Sequence, residues 1–219
     1  MSKLPVFYYS NYQKPFKNKI MKNIVLKSKV LAFSAVLGVA FLMTGCSKED
    51  NMSPATSMTT TDLNNRNGAP APGTQPIAQI AIDAGFSELV GALSYVDDSL
   101  NLGLVNMFMN GTDQYTVFAP TNAAFTNLYT ALGVTGITDL PPTLVRDVLL
   151  YHVTDGRRAS NSVVPQNGTR NISTLLGVGF TVDTMGMITA VGNTASITTA
   201  NISASNGIIH VIDAVILPI

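Results

Sequence analysis

The sequence holds one cysteine in 219 residues. A single thiol excludes a disulfide framework and a cysteine-rich zinc site. Charge is scarce as well, with 12% of residues Asp, Glu, Lys or Arg, about half the usual share. With 46% hydrophobic residues, such a composition lies in the globular range and excludes a disordered acidic or basic chain. The only two histidines, His152 and His210, are far apart in sequence, and Cys46 is the only thiol. No Gly-x-Ser-x-Gly elbow, His-Glu-x-x-His helix, phosphate-cradling Gly-Lys-Ser/Thr loop or dinucleotide fingerprint occurs. Asp97 and Asp98 are adjacent, so on a helix they point apart and read as a solvated helix end. These absences exclude the common catalytic constellations and lead us to expect no enzyme, no metal and no cofactor.

Long apolar runs are missing too. The longest candidate, Val30 to Met43, is interrupted by Ser34 and Gly38 and falls short of the ~20 residues of an ordinary spanning helix. The formal net charge of zero hides two unlike parts. Residues 1–45 carry seven lysines and no acidic residue, whereas residues 46–219 carry six basic against thirteen acidic side chains, a formal −7. A body with that balance has no basic footprint for nucleic acid.

What is present at the amino end reads as an address and an anchor. Met21-Lys22-Asn23, Lys27 and Lys29 form a basic stretch ahead of the apolar run, which ends at Leu42-Met43-Thr44-Gly45-Cys46. A basic n-region, a short apolar h-region and small residues at the cut describe a secretory signal peptide over 21–45. The last five residues resemble a bacterial lipobox, with Cys46 as the lipidated residue. In that reading the chain is cut before Cys46, the thiol carries a diacylglycerol, and further acylation gives stable membrane anchoring. An uncleaved anchor is the alternative, and it leaves the position of the only cysteine without a role. Residues 1–20 read as upstream mis-translation, because Met21 starts a signal peptide of ordinary length; a long n-region is the other possibility. Ser47-Lys48-Glu49-Asp50 resembles the short acidic export signal of surface lipoproteins in the Bacteroidetes group, with a generic charged spacer as the alternative. The expected location is the cell envelope, as an outer-membrane lipoprotein facing the exterior.

Residues 46–76 are expected to be the lipidated cysteine and a tether. Asn51 to Pro76 is rich in Ser, Thr, Asn, Pro, Gly and Ala and has too few large apolar residues to form a core. A coil of that length spans on the order of 25–30 Å.

Residues 77–219 have the size of one domain. Ile77, Ile80, Ala81 and Ala84 show helical spacing, and Gly85 can end the run. Ser87 can cap a helix buried through Leu89, Val90, Leu93 and Val96, and Ser99 can cap another with Leu102, Val105, Phe108 and Met109 inward. Tyr115–Ala119 then reads as a strand closed by Pro120, and Thr121 as the N-cap of a helix over Asn122–Leu132. Pro141-Pro142-Thr143 starts a further helix with Leu144, Val148 and Tyr151 along one face. The carboxy-terminal part alternates as strands over Ile172–Leu176, Gly179–Thr184, Met187–Val191, Ala195–Thr199 and Ile208–Leu217, with Asn206-Gly207 as a tight-turn signal. Helices first and strands second predict an α+β domain.

Three segments carry a resemblance. Thr116-Val117-Phe118-Ala119-Pro120-Thr121-Asn122-Ala123-Ala124-Phe125 is similar to the first signature box of fasciclin (FAS1) domains. Tyr151-His152-Val153 resembles the family's central motif, and Asn206 to Asp213, ending in Leu217-Pro218, resembles its second box. The resemblance covers residues 77–219. It implies a β-wedge of antiparallel-rich strands with an amino-terminal helical cluster, in a secreted or anchored adhesion module. Phe118 and His210 read as core residues, and His152 can satisfy the last carbonyls of its helix. The functional alternative for Tyr151 and His152 comes from animal relatives, where this segment is linked to integrin adhesion. A second determinant there, an Asp-Ile pair, falls on Asn201-Ile202, and the lost carboxylate speaks against integrin binding. The candidate binding surface is therefore Tyr151, His152, Arg157 and Arg158, the densest basic spot of the acidic body. Its expected partner is an unidentified extracellular protein or glycan. The membrane is reached through the lipid on Cys46. A periplasm-facing structural accessory is the alternative function.

Overall fold

The computed structural model describes residues 69–219. The expected mis-translated stretch 1–20, the expected signal peptide 21–45, Cys46 and most of the expected tether lie outside the described residues.

Three helices come first: α1 (Ile77–Asp83), α2 (Ser87–Leu100) and α3 (Leu104–Asn110). Gly85, at φ 74°, ends α1 as expected. Its N–H donates to Ile82 O and that of Phe86 to Ala81 O, the paired bonds of a Schellman closure. The starts of α2 and α3 differ from expectation. Ser87 is already the first residue of α2, with no side-chain cap, and Ser99 lies inside that helix. The caps come from further away. Asn122 Oδ1 accepts from the Glu88 N–H at 3.2 Å, while its amide donates to Gly85 O at 2.9 Å. Asp97 accepts from the N–H groups of Leu104 and Val105, both at 2.8 Å. Asp97 is thus the cap of α3 rather than part of a solvated end. A carboxylate there satisfies orphan donors and complements the helix dipole. Leu102, expected inward, sits in the α2–α3 link and is 42% exposed.

Strand β1 (Tyr115–Pro120) is buried throughout. Thr121 Oγ1 accepts from the Ala124 N–H at 3.2 Å and caps α4 (Asn122–Leu132) as foreseen. Helix α5 (Pro142–Tyr151) buries Val145, Leu149, Leu150 and Tyr151, while Leu144 and Val148 are only half-buried. Two short elements follow that the sequence did not reveal: β2 (Val153–Asp155) and α6 (Ser160–Val163). The remaining strands are β3 (Thr169–Ser173), β4 (Gly179–Asp183), β5 (Met187–Thr189), β6 (Thr194–Ala204) and β7 (Gly207–Ile212).

The strands form one seven-stranded sheet in the order β2-β1-β7-β6-β5-β4-β3. Only the β1–β7 pair is parallel. The long β6 serves both halves, pairing with β5 through Thr194–Ser196 and with β7 from Ile197 to Ala204 across two register shifts. Such irregularities bend a strand and sharpen its twist. The sheet accordingly folds over on itself. Phe118 of β1 and Phe180 of β4, with three strands between them in the order, meet edge to face at 5.0 Å, and Tyr151 packs on Phe180 at 5.8 Å. The edges are stitched as well: Thr154 Oγ1 donates to Ser173 O and the Leu175 N–H to Val153 O, each at 2.7 Å. The result is the expected wedge, with helices against one half.

The Asn206-Gly207 signal has a different cause from the one expected. The β6–β7 turn is Ser205-Asn206, and Gly207 already opens β7 opposite Tyr115. A Cβ on Gly207 would lie 2.0 Å from Tyr115 O. Glycine is needed here for the close approach of β1, not for a positive φ.

Candidate functional site

The segment from Tyr151 to Arg158 begins at the carboxyl end of α5 and runs through β2 into the loop before α6. The structure places its first two residues inside. Tyr151 is 0% exposed and donates its hydroxyl to Gly179 O at 3.1 Å. His152 is 2% exposed. Its Nδ1 lies 2.7 Å from Val148 O, and its Nε2 accepts the Ile216 N–H at 3.0 Å. An amide N–H can only donate, so Nε2 is bare and Nδ1 carries the proton. Burial lowers the His152 pKa to about 4, so the ring is neutral at ordinary pH. Tyr151 and His152 are therefore withdrawn from the candidate surface. Each ties its helix to another element, and neither reaches a partner in this fold.

His210 repeats the arrangement from β7. It is fully buried and stacks at a tilt on Phe118, 5.5 Å between centroids. Its Nδ1 accepts from the Asn201 N–H at 3.3 Å, and its Nε2 lies 2.9 Å from Arg158 O. Burial lowers its pKa as well. Asn201, on which the resemblance sets the aspartate of animal members, sits in the second register shift of β6 at φ 65°. Asn is among the few residues that adopt this conformation readily. Its Oδ1 accepts from the Ser160 N–H at 2.7 Å and its amide donates to Ser160 Oγ at 2.8 Å. The side chain thus fastens α6 to β6.

Arg157 also turns inward. Its guanidinium donates to Ala204 O at 2.8 Å, Gly207 O at 2.5 Å, Ser203 Oγ at 2.5 Å, Pro70 O at 3.0 Å and Ala71 O at 3.1 Å. Desolvation lowers its pKa from the usual arginine value. The cation is a clasp that joins the β6–β7 hairpin to a strap, residues 70–75. Ser203 Oγ donates to Ala71 O, the Gly73 N–H to Ala204 O at 3.3 Å and the Ser205 N–H to Gln75 O at 2.8 Å. The strap was expected to belong to the free tether, and its composition gives no sign of this docking. Of the four candidate residues only Arg158 keeps a half-exposed side chain without a buried role; its Nε donates to Asp155 O at 3.2 Å.

Two residues that sequence reasoning undervalued hold this end of the molecule together. Asn206 is buried, accepting the Ile77 N–H at 2.8 Å and donating to Phe108 O at 2.9 Å. Thr116 donates to Gly156 O at 2.7 Å and accepts the Arg158 N–H at 2.8 Å. Both stand inside the signature boxes, so the boxes signalled them, but as a turn and a strand residue rather than as joints. A cavity of about 50 Å³ lies among α1, α2, α3, α5 and β1, with His152 as its one polar lining side chain. It is far below the ~300 Å³ at which small-molecule sites begin. Among the described residues no three His, Cys, Asp or Glu side chains gather as a metal site, and no helix is long and apolar enough to cross a membrane.

Comparison with known proteins gives this architecture a context. The family model of the fasciclin domain matches residues 84–218. The immunogenic protein MPB70 of Mycobacterium bovis is 36% identical over 135 residues, 60% of this chain and 64% of MPB70, so the chain spans about two thirds of that relative's length. Protein sll1483 of Synechocystis is 30% identical over 199 residues, 87% of this chain and 97% of the relative. The cell surface glycolipoprotein MPB83 of M. bovis is 28% identical over 228 residues, 90% of this chain and 99% of MPB83. Among solved structures, a FAS1 domain pair from the insect cell adhesion molecule fasciclin I aligns with a TM-score of 0.43 at 18% identity, over 60% of this chain and 45% of that one. The strand, caps and buried histidine joints built by the three signature segments all lie within the matched stretch, and the chain belongs to the fasciclin family.

Proposed function

We propose that the chain is a cell-envelope lipoprotein whose fasciclin domain is a non-catalytic adhesion or interaction module at the cell surface. The observation that carries the non-catalytic reading is the engagement of both histidines. All four ring nitrogens are held by backbone groups, in His152 by Val148 O and Ile216 N and in His210 by Asn201 N and Arg158 O. A general base needs a nitrogen within reach of a substrate proton, and here none faces solvent. Surface display draws support from MPB83, named a cell surface glycolipoprotein and alignable over 90% of this chain. The lipobox-like Leu42–Cys46 supports anchoring through a lipid on Cys46.

The test follows the chain in cells. Fatty-acid label should enter the mature protein and vanish in Cys46→Ala, and protease added to intact cells should trim the domain. Label retained by Cys46→Ala removes the lipid-anchor reading. A domain shielded from protease on intact cells, yet cut after the envelope is opened, replaces surface display by a periplasm-facing structural accessory.

A further inference from the structure

Four Asn-Gly pairs stand in the sequence, at 67–68, 110–111, 167–168 and 206–207. Such a pair carries its own reaction. The backbone nitrogen of the glycine can close a five-membered ring on the side-chain carbonyl carbon of the asparagine, and glycine leaves that approach unhindered because it has no Cβ. Asparagine counts among the thermolabile residues, and this ring closure is one cause. It makes three demands. The asparagine side chain must be free to turn, the glycine N–H must be free to give up its proton, and water must reach the ring. The first pair lies outside the described residues. The other three meet these demands very differently.

Asn110-Gly111 is bound at both reacting ends. Asn110 Nδ2 donates to Asn106 Oδ1 at 2.9 Å, and the Gly111 N–H donates to Met107 O at 3.1 Å as α3 ends. Asn206-Gly207 is closed to water as well. Asn206 is buried, and both ends of its amide are engaged, Oδ1 by the Ile77 N–H and Nδ2 by Phe108 O, so the side chain cannot turn without losing buried hydrogen bonds. Asn167-Gly168 has none of these restraints. It lies in the loop between α6 and β3, and both residues are exposed. Among the described residues, neither the Asn167 side chain nor the Gly168 N–H has a hydrogen-bond partner. Gly168 stands at φ 65°, so the turn itself calls for glycine and keeps the unhindered nitrogen next to Asn167.

We propose that Asn167 is a site of spontaneous deamidation, the one described Asn-Gly pair that the folded domain leaves open to it. The Gly168 nitrogen, its proton passed to solvent base, forms a bond to Asn167 Cγ. The tetrahedral intermediate then breaks its Cγ–Nδ2 bond, and Nδ2 leaves as ammonia with a proton from water. A second water adds to either carbonyl of the cyclic imide and reopens it. One opening leaves an aspartyl residue at position 167. The other leaves an isoaspartyl residue, whose main chain runs through Cβ and Cγ. In sum one water is consumed and one ammonia released, with no change of oxidation state. Both products put a carboxylate where a neutral amide stood. The isoaspartyl product also lengthens the main chain by one atom just before β3, whose first residue, Thr169, pairs with Asp183. This chemistry needs no partner and is independent of surface display.

The experiment ages the full chain in detergent at pH 7 and pH 8 and follows it by peptide mass spectrometry. Trypsin, cutting after Arg158 and Arg170, releases residues 159–170 as one peptide. In the folded protein that peptide should gain about 1 Da at position 167 and split into two chromatographic forms of equal mass. Asn110 and Asn206 should stay unconverted over the time in which half of Asn167 reacts. Conversion should run about tenfold faster at pH 8 than at pH 7, because the fraction of deprotonated amide rises tenfold per pH unit. A parallel sample unfolded in guanidinium chloride serves as the clock, and there all three asparagines should react alike. Asn167→Gln, which needs a larger and slower ring, should leave the peptide unshifted. The proposal is overturned by an intact Asn167 in the folded protein once the unfolded sample has reacted. It is equally overturned if the three asparagines convert alike in the folded protein, or if the rate at position 167 ignores pH.

Discussion

The segment Tyr151–Arg158 and the outer face of β3–β6 are both rich in polar side chains, but they use them in opposite ways. In the first, Tyr151, His152 and Arg157 each reach inward to backbone groups of other elements. In the second, Asn171, Thr181, Thr189 and Thr194 point outward along one register line. Recognisable motifs cluster in the first region and are absent from the second. A motif made of residues that must satisfy distant carbonyls tolerates little variation, so its prominence reflects architecture. A rigid strand face requires only β-branched polar residues, and nothing in a linear string sets it apart from any other strand.

That contrast can be broken by experiment. The largest effect belongs to Phe118, fully buried between Phe180 and His210. Phe118→Ala should destabilise the domain by ~3–5 kcal/mol, read as a lowered denaturation midpoint. An unchanged midpoint would mean that the first box is not core.

Acid tests the histidine joints. The unfolded chain takes up protons on His152 and His210 below about pH 6.5. Burial holds the folded His152 neutral down to about 4 and lowers the pKa of His210 as well. In that window the unfolded state binds more protons, so stability is full above pH 6.5 and falls as pH drops toward 4. His152 alone accounts for about 3 kcal/mol of the loss. Urea midpoints measured from pH 7 to pH 4 should fall steadily. A flat profile would mean that the rings are solvated and the segment is available as a surface after all.

Arg157→Ala sharpens the comparison with a smaller and local effect. Loss of the clasp should cost roughly 1–2 kcal/mol, and the Gly73 amide, bonded to Ala204 O, should exchange faster with solvent. The Phe118 amide, bonded to His152 O in the core, should keep its rate. Equal acceleration at both would make Arg157 part of the global core instead of a local fastener. The smallest effect is expected on the outer face. Thr181→Val/Thr189→Val/Thr194→Val should melt within about 0.5 kcal/mol per site of the parent, and a larger loss would show that these outward side chains are structural.

Much of the fold was legible where signals are local. Thr121 caps α4 from three residues away. His152 reaches one helical turn back to Val148, and Gly85 closes α1 on its own turn. What escaped depends on distance along the chain. Asp97 caps α3 from seven residues away and Asn122 caps α2 from thirty-four, so the serines that looked like caps were displaced by side chains that only folding brings near. Strand β2 is three residues long and follows a helix without a turn signal, leaving no period to read. Three of the four candidate surface residues turn inward because exposure of a helix end and its following loop is decided by what packs over them, here the chain around Ile216 and the strap at 70–75. Alternation in β3–β6 was visible, but the alignment of Asn171, Thr181, Thr189 and Thr194 needs the pairing register, which hairpin lengths alone did not fix.

The strap at residues 70–75 has a mechanical consequence. A pull on the chain from its amino-terminal side arrives at Pro70 before it arrives at α1. The fastenings lie in series along the strap, first Arg157 to Pro70 and Ala71, then Gly73 to Ala204, then Gln75 to Ser205. Peeled from that side, they give way one after another, and the first to yield is the clasp. Six freed residues add roughly 20 Å of extensible chain at full stretch. The load reaches Ile77, and through Asn206 the hydrophobic core, only after that length has been drawn out. Under such a pull the strap would be drawn out before the folded body behind it bears the load.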